Sequence, residues 1–369
     1  RLLLELLWSR FGLPLAITEV HLGCTPEEQI RWLLEAWSGA EAARARGADV
    51  RAVTLWSAFG AVDWDSLLTR PRGHYEPGAF DVRGGAVRPT ALAAVAHALG
   101  HGRAPSHPLL AEPGWWRRRE RLLYEVSGAA RRATSAHGAR PILVTGAAGT
   151  LGRAVVRACR ERSLPVVGIA RSGLDVGDRA AVAAALDAHR PWAVVNAAGY
   201  VRVDDAEVER SACLRVNAVG AAHLAEACAA RGIRYVTFSS DLVFDGRKSS
   251  PYVEDDAPSP LNVYGESKAL AERLVLEVAP DSIVARTSAF FGPSDEANFV
   301  HHVLSTLHAG GRVEVAADLV VSPTYVPDLA DATLTLLVDG ASGVWHLASG
   351  GATSWLDLAR EVAERAGLD

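Results

Sequence analysis

Pro141-Ile-Leu-Val-Thr-Gly146-Ala-Ala-Gly149-Thr-Leu-Gly152-Arg153 is the stretch whose reading decides the fold of this chain. Ile142 to Val144 is an apolar run of strand length, and Ala154-Val-Val-Arg-Ala-Cys159 opens a helical pattern. Between them the glycines are spaced G-x-x-G-x-x-G. Such a turn lets the backbone approach a pyrophosphate closely and aims a helix N-terminus at the negative charge. Glycine-rich turns between strand and helix also serve packing alone. The residues on either side therefore carry the decision.

Downstream, 165–170, 192–196, 235–239 and 282–286 read as buried apolar strands, alternating with helices over 179–189 and about 212–230. That alternation predicts an α/β doubly wound parallel sheet, which takes a dinucleotide across the carboxyl edge of its strands. The second strand ends in Arg171-Ser172, where a ribose 2′-hydroxyl would want a carboxylate. A cation beside a small hydroxyl suits a 2′-phosphate, which favours NADPH, with NADH as the alternative. Leu174-Asp175-Val176 is placed to border an adenine ring, and Asn196-Ala197-Ala198-Gly199 ends a strand in residues small enough to admit a ribose and nicotinamide. With Gly146, Gly149, Thr150, Leu151 and Gly152, these form the candidate cofactor set.

The candidate catalytic set is Ser239-Ser240-Asp241 with Tyr264-Gly-Glu-Ser-Lys268. Tyr and Lys at i and i+4 share one face of a helix. A nearby ammonium is expected to lower the phenol's pKa from about 10 towards working pH. The phenol can then exchange a proton with a carbonyl or alcohol oxygen while hydride moves to or from nicotinamide. Ser240, at a strand end, is placed to hydrogen-bond the same oxygen. A Y-x-x-x-K on its own is mostly decorative, but here it follows a glycine turn, an N-A-A strand end and an S-S-D strand end in that order.

This ordered set resembles the extended short-chain dehydrogenase/reductase superfamily from residue 140 to 369, and within it the dTDP-4-dehydrorhamnose reductase family. The likeness rests on Asn196-Ala-Ala-Gly-Tyr200-Val-Arg-Val-Asp204-Asp-Ala-Glu207, Val216-Asn217-Ala218, Ser239-Ser-Asp-Leu-Val-Phe-Asp245-Gly, Pro258-Ser-Pro-Leu-Asn-Val-Tyr264-Gly, Arg286-Thr-Ser and Val321-Ser-Pro323-Thr-Tyr325-Val-Pro-Asp328. The resemblance implies a Rossmann NAD(P)-binding domain with a small substrate lobe, reducing the 4-keto group of a nucleotide-linked deoxysugar. It makes Tyr264 the proton donor, Lys268 the ligand of the nicotinamide ribose and Ser240 the replacement for the usual threonine. Tyr200, Asp241, Phe244 and Arg286 are the residues it places at the sugar. It also implies a homodimer with Mg2+ at an acidic contact that no motif here matches. The sequence departs from the family where an aromatic is replaced by Ala289 and a tyrosine by Leu242, and the substrate lobe is expected to be truncated at Asp369. The competing readings are a nucleotide-sugar epimerase or dehydratase, which would retain NAD, and a non-catalytic nucleotide-sugar-binding module.

Upstream, 13–19 reads as a strand and 26 to about 46 as a helix. Thr25 with Glu28 three residues on gives a capping-box pattern, and a second strand follows Gly47. Thr18-Glu19-Val20, the run Trp56 to Trp64, Tyr75-Glu-Pro-Gly-Ala-Phe-Asp81 and Arg88-Pro-Thr-Ala-Leu resemble the last quarter of a family 1 glycoside hydrolase, a (β/α)8 barrel. The resemblance makes Glu19 a vestigial nucleophile; otherwise it is simply a polar strand end. Retaining glycosidases need two carboxyl groups, and the acid's strand would precede Arg1. Two or three strands cannot close a barrel either. A partial barrel-like segment without glycosidase activity is therefore expected over 1–103, a linker over 104–138 and the reductase domain over 139–369. Within the linker, 127–138 reads as flexible, and Trp115-Trp-Arg-Arg-Arg-Glu-Arg121 as a solvated helix face with tryptophans resting on a neighbouring domain.

The net charge of -5 gives no reason to expect nucleic acid, and no apolar run nears the roughly 18 to 20 residues of a membrane span. Cys24, Cys159, Cys213 and Cys228 contain no C-x-x-C pair and read as buried reduced thiols. A cytoplasmic protein is expected. With no methionine and a helix already begun at Arg1, the chain reads as a segment of a longer product.

Overall fold

The computed structural model describes residues 1–84, 86–118, 140–293, 295 and 298–368. The chain divides into two compact units, Arg1–Ala139 with Val338–Gly340, and Arg140–Leu337 with Ala341–Asp369. The expected flexible stretch 127–138 lies outside the described residues.

In the first unit, helix α1 (Leu2–Phe11) precedes strand β1 (Leu15–Val20), helix α2 (Pro26–Arg44) and strand β2 (Val50–Leu55). β1 and β2 pair in parallel, as a strand–helix–strand order demands. Ala40, Ala43, Ala48 and Val50 form a small core against Leu4, Trp8, Leu15, Ile17 and Val53. Helix α3 (Ala91–Gly100) follows, with short antiparallel strand pairs between. Two expectations are corrected here. The capping box does not form: the Glu28 N–H goes to the Thr25 carbonyl (3.1 Å) and not to its side chain, and the Glu28 carboxylate is drawn away to Arg31 (2.8 Å), Arg118 and the Trp115 N–H (3.0 Å). Residues 104–118 are not a linker. Trp116 sets its ring edge-on to Trp32 of α2 at 5.0 Å and donates to Glu35 at 2.5 Å, and Arg117 pairs with the same carboxylate. The described arginines of that run are thus spent on α2.

The second unit is built on strands β3 (Ile142–Thr145), β4 (Val166–Ile169), β5 (Ala193–Asn196), β6 (Arg234–Ser240), β7 (Ile283–Thr287) and β8 (Gly343–His346). They form one sheet in the order β8-β7-β6-β5-β3-β4, parallel throughout. The inner strands β3 and β5 are buried at every residue, whereas the edge strands β4 and β8 are partly exposed. This follows from helices covering both faces. The helices are α4 (Thr150–Glu161), α5 (Arg179–His189), α6 (Arg210–Leu214), α7 (Gly220–Ala229), α8 (Val263–Val278), α9 (Phe299–His308), α10 (Val326–Val338) and α11 (Trp355–Ala366). The single helix expected over 212–230 is α6 and α7 joined by a π-helical turn, Arg215–Val219. Leu143, Val182, Leu186, Val194, Leu224, Tyr235 and Val284 anchor one core cluster between the sheet and α5, α7 and α8. Each such buried aliphatic side chain contributes about 1.5–3 kcal/mol. From β3 the chain goes out to β4 and returns to β5 on the other side, so the direction of winding reverses between β3 and β5.

Candidate active site

The reversal point is where an open α/β sheet leaves a crevice at its carboxyl edge. The glycine turn leaves β3 there, opposite the end of β5. Gly146 has φ +64°, and a Cβ on it would lie 2.6 Å from the Ala197 carbonyl carbon; one on Gly152 would lie 2.2 Å from the Gly146 oxygen. Only glycine lets these backbones meet. Gly149 caps α4 with no side-chain bond, unlike Asp178, which accepts from Ala180 and Ala181 at the start of α5. The first N–H groups of α4 are therefore left for an anion. Asn196 serves as a latch: its Oδ1 accepts from Thr145 Oγ1 (2.7 Å) and the Ala198 N–H (3.2 Å), and its Nδ2 donates to the Tyr235 hydroxyl (3.1 Å). Arg171 is exposed in the turn after β4. Asp175 nearby is held below the usual carboxylate range by Arg215 and by the Gly177 N–H. The side-chain-free crevice, the uncapped helix start and the exposed arginine fit a dinucleotide. The side chains of Leu151 and Val176 are buried, so that what Leu151 offers an anion is its N–H in the first turn of α4.

Across the edge, β6 ends at Ser240 and helix α8 brings Tyr264 and Lys268 to it. The first turn of α8 is fixed twice: Asn262 Oδ1 accepts from the Gly265 N–H at 2.7 Å and Glu207 Oε1 from the Val263 N–H at 2.8 Å. Gly265 permits close approach, since a Cβ there would lie 2.1 Å from the Leu242 oxygen. Lys268 Nζ donates to the Phe238 carbonyl at 3.1 Å and lies 5.7 Å from the centre of the Tyr264 ring. A Cβ on Gly199 would lie 3.6 Å from that nitrogen, so the ends of β5 and β6 and the face of α8 converge on one point. Ser240 Oγ donates to Asp241 Oδ1 at 3.0 Å, and Ser288 Oγ donates to Asp241 Oδ2 at 2.5 Å. Tyr200 packs with Tyr264 around Ala206, Cys213 and Val263.

The electrostatics differ from expectation. Burial, with the Asp241 carboxylate and Cys213 added, pushes the Tyr264 phenol up rather than down, and the hydrogen bond to Ser240 opposes this only in part. Burial pushes the Lys268 ammonium down to about 8. The lysine thus carries its charge at neutral pH at a cost in desolvation.

Phe244 and Arg286 are held by other side chains. Arg286 is buried, with its guanidinium bidentate on Glu272 (2.9 and 2.8 Å) and donating to the Glu254 carbonyl (3.1 Å). Phe244 stacks on Tyr252 at 4.1 Å with the guanidinium 5.0 Å from its ring centre. Residues that sequence reasoning passed over are Glu207, Ser288, Asn217 and Ser267. The motif Val216-Asn217-Ala218 was in view, but only packing shows that Asn217 bonds the Tyr200 N–H and carbonyl (2.8 and 3.0 Å). Among the described residues no cluster of three or more His, Cys, Asp or Glu side chains is placed to hold a metal ion, and no helix is long and apolar enough to cross a membrane. The implied Mg2+ finds no such cluster there, and no step is assigned to it.

A doubly wound parallel sheet with a glycine turn at its reversal point and Ser, Tyr and Lys converging at its edge defines an NAD(P)-binding oxidoreductase. Residues 140–369 match the family described as the RmlD substrate binding domain, and the chain belongs to that family. It is 42% identical over 228 residues to a dTDP-4-keto-6-deoxy-D-glucose reductase of Streptomyces niveus, spanning 62% of this chain and 79% of that protein. It is 38% identical over 233 residues to a dTDP-4-dehydrorhamnose reductase of Streptomyces griseus, spanning 62% and 76%. Among solved structures, the dTDP-4-dehydrorhamnose reductase of Bacillus anthracis in complex with NADP superposes with a TM-score of 0.60 at 30% identity, spanning 62% of this chain and 82% of that one. The family match leaves residues 1–139 outside it.

Proposed function

We propose that this protein uses NADPH to reduce the 4-keto group of a dTDP-linked 6-deoxyhexose to the alcohol. The observation that carries this reading is the convergence of Ser240, Tyr264 and Lys268 on the crevice beside Gly199. Gly146, Gly149, Gly152 and Arg171 would hold the cofactor, with Ala197 and Ala198 leaving room for its ribose and nicotinamide. When bound, NADPH supplies a hydride to the carbonyl carbon. Tyr264 gives its proton to the carbonyl oxygen, and Ser240 donates a hydrogen bond to the same atom. Lys268 grips the ribose, and its charge offsets the phenolate that Tyr264 becomes. A raised phenol pKa keeps Tyr264 protonated until the substrate oxygen is in place. Asp241, braced by Ser288, and Tyr200 border the sugar. The protein acts in the cytoplasm, where nucleotide sugars and NADPH meet.

The test is NADPH oxidation with two substrates, the 4-keto precursor of dTDP-L-rhamnose and dTDP-4-keto-6-deoxy-D-glucose. The second is included because a relative named for it is 42% identical. Tyr264→Phe is expected to lower turnover by about 10²–10⁴-fold with NADPH binding intact. Bound NADPH without turnover of either sugar by the unsubstituted protein would make it a binding module instead. The homodimer is tested by sedimentation velocity, a monomer overturning it.

For residues 1–103 we infer a glycosidase-like fragment with no hydrolytic activity. Its support is a parallel βαβ unit that leaves Glu19 exposed at a strand end, its N–H on Thr54 Oγ1 at 3.1 Å, near the aromatic run His21, Trp56 and Trp64. Glycoside hydrolysis that disappears in Glu19→Gln would overturn the claim of inactivity.

A further inference from the structure

Ser267 lies between the two catalytic side chains of α8 and points away from the crevice, into a fully buried polar node. Its hydroxyl donates to the Tyr264 carbonyl at 2.6 Å and accepts from Asn217 Nδ2 at 2.9 Å and from Cys213 Sγ at 3.3 Å. One donor and two lone pairs are all used, so the hydroxyl is saturated at 0% exposure. Cys213 sits at the end of α6 and Asn217 within the π-helical turn, which puts both on the side of that helix facing α8. Asn217 also holds the Tyr200 backbone, at the end of the segment leaving β5. The node therefore joins α6, the π turn, the β5 loop and the first turn of α8.

Resting on the reductase reading above, we propose that Ser267, with Cys213, is a positioning residue for Tyr264. The only bond Ser267 donates goes to the Tyr264 backbone. Lys268 Nζ, in contrast, is tethered separately to the Phe238 carbonyl. The hydroxyl thus fixes where the phenol stands along the crevice and leaves the cofactor-gripping lysine in place. A buried hydroxyl is suited to this because its three partners define its position in three directions. An alanine there would leave the Cys213 S–H without its acceptor, its sulfur still accepting from Asn217 Nδ2 at 3.6 Å, and the first turn of α8 without its lateral tie.

The test uses the full chain with Ser267→Ala, Cys213→Ala and Cys213→Ser, measuring kcat, the KM of the keto sugar and NADPH affinity by fluorescence titration. Ser267→Ala is expected to lower kcat about tenfold to a hundredfold, the cost of a small misplacement of a reacting group, with NADPH affinity within threefold of the parent. Cys213→Ala should show the same split more weakly, and Cys213→Ser, which keeps a donor, should restore kcat. A lower melting temperature with unchanged kcat in Ser267→Ala would overturn the proposal and leave a purely structural node. If Ser267→Ala fails to fold, the Cys213 pair decides: equal kcat in both overturns it. If the parent binds NADPH but reduces neither sugar, the reductase reading has failed by itself. The proposal is then read from the 13Cζ resonance of Tyr264, identified by its loss in Tyr264→Phe. That resonance is expected to move in Cys213→Ala and return in Cys213→Ser, and a resonance fixed in both variants overturns the proposal.

Discussion

Lys268 illustrates what burial does to a catalytic cation. Its fall from an ordinary 10.5 to about 8 means that the folded state binds its proton less tightly than the unfolded chain does. Between those values the unfolded chain holds more protons, so stability rises with pH across the window and the full cost applies below pH 8. At about 1.4 kcal/mol per tenfold change in proton affinity, that cost is about 3 kcal/mol. Lys268→Met removes it but leaves the Phe238 carbonyl without its donor, which returns about 1–2 kcal/mol. A net stabilisation of about 1–2 kcal/mol is therefore expected near pH 7, shrinking towards pH 10. Thermal unfolding of both proteins across that range measures it, and a variant less stable at neutral pH would refute the assignment. The spacing of Tyr264 and Lys268 was legible in the sequence, but the direction of the tyrosine's pKa was not. It depends on Asp241 and Cys213, which are distant in the chain, and on burial that no local pattern records. Arg171 was also legible, since a strand end without a carboxylate is a local feature. Exposed as it is, Arg171→Ala should weaken NADPH by about tenfold while leaving NADH nearly unchanged, the loss of one charged hydrogen-bond partner. Equal weakening of both cofactors in a fluorescence titration would remove the 2′-phosphate from its role.

Elements were legible where one residue type settles a backbone. The glycine turn is such a case, because close approach at Gly146 and Gly152 excludes any side chain whatever its neighbours do. Gly152→Ala would set a methyl 2.2 Å from the Gly146 oxygen, a backbone atom that no rotamer can move. A destabilisation of about 1–3 kcal/mol and loss of detectable NADPH binding are expected. Gly149→Ala is the control, since its Cβ would meet that oxygen at 3.3 Å and small adjustments can absorb it. Chemical denaturation with cofactor titration compares the two, and equal effects would show that the close approach is not what the glycines serve. Helix α5 was likewise readable to both ends, with Asp178 capping it by 2.9 and 3.1 Å bonds. The π turn was not. It is matched to Asn217's bonds with Tyr200 and Ser267, contacts made across about 17 and 50 residues of sequence. Thr25 and Glu28 show the same limit from the other side. The capping pattern was present locally, but Arg31 and Arg118 offered the carboxylate a buried ion pair instead.

At the scale of the whole molecule, the order of strands and helices was enough to give the doubly wound sheet, because alternating buried strands with crossover helices leave few other ways to bury both faces. The N-terminal hundred residues were less readable, since short matches to a barrel family specify local βαβ structure but no closure. Every residue assigned to cofactor or catalysis falls between Gly146 and Ser288. The core cluster behind them, from Leu143 to Val284, draws on no residue of the first 139. A chain begun at Arg140 therefore contains every residue assigned to cofactor or catalysis and the core cluster behind them. Such a fragment is expected to bind NADPH with an affinity within about threefold of the full chain, a difference below 1 kcal/mol. It should also unfold as one cooperative transition, whereas the full chain, with separate cores in its two units, should unfold in two. Differential scanning calorimetry and cofactor titration of the two proteins measure this. A fragment that is folded but has lost NADPH would show that the first unit takes part in shaping the crevice, and the site would then have to be redrawn to include it.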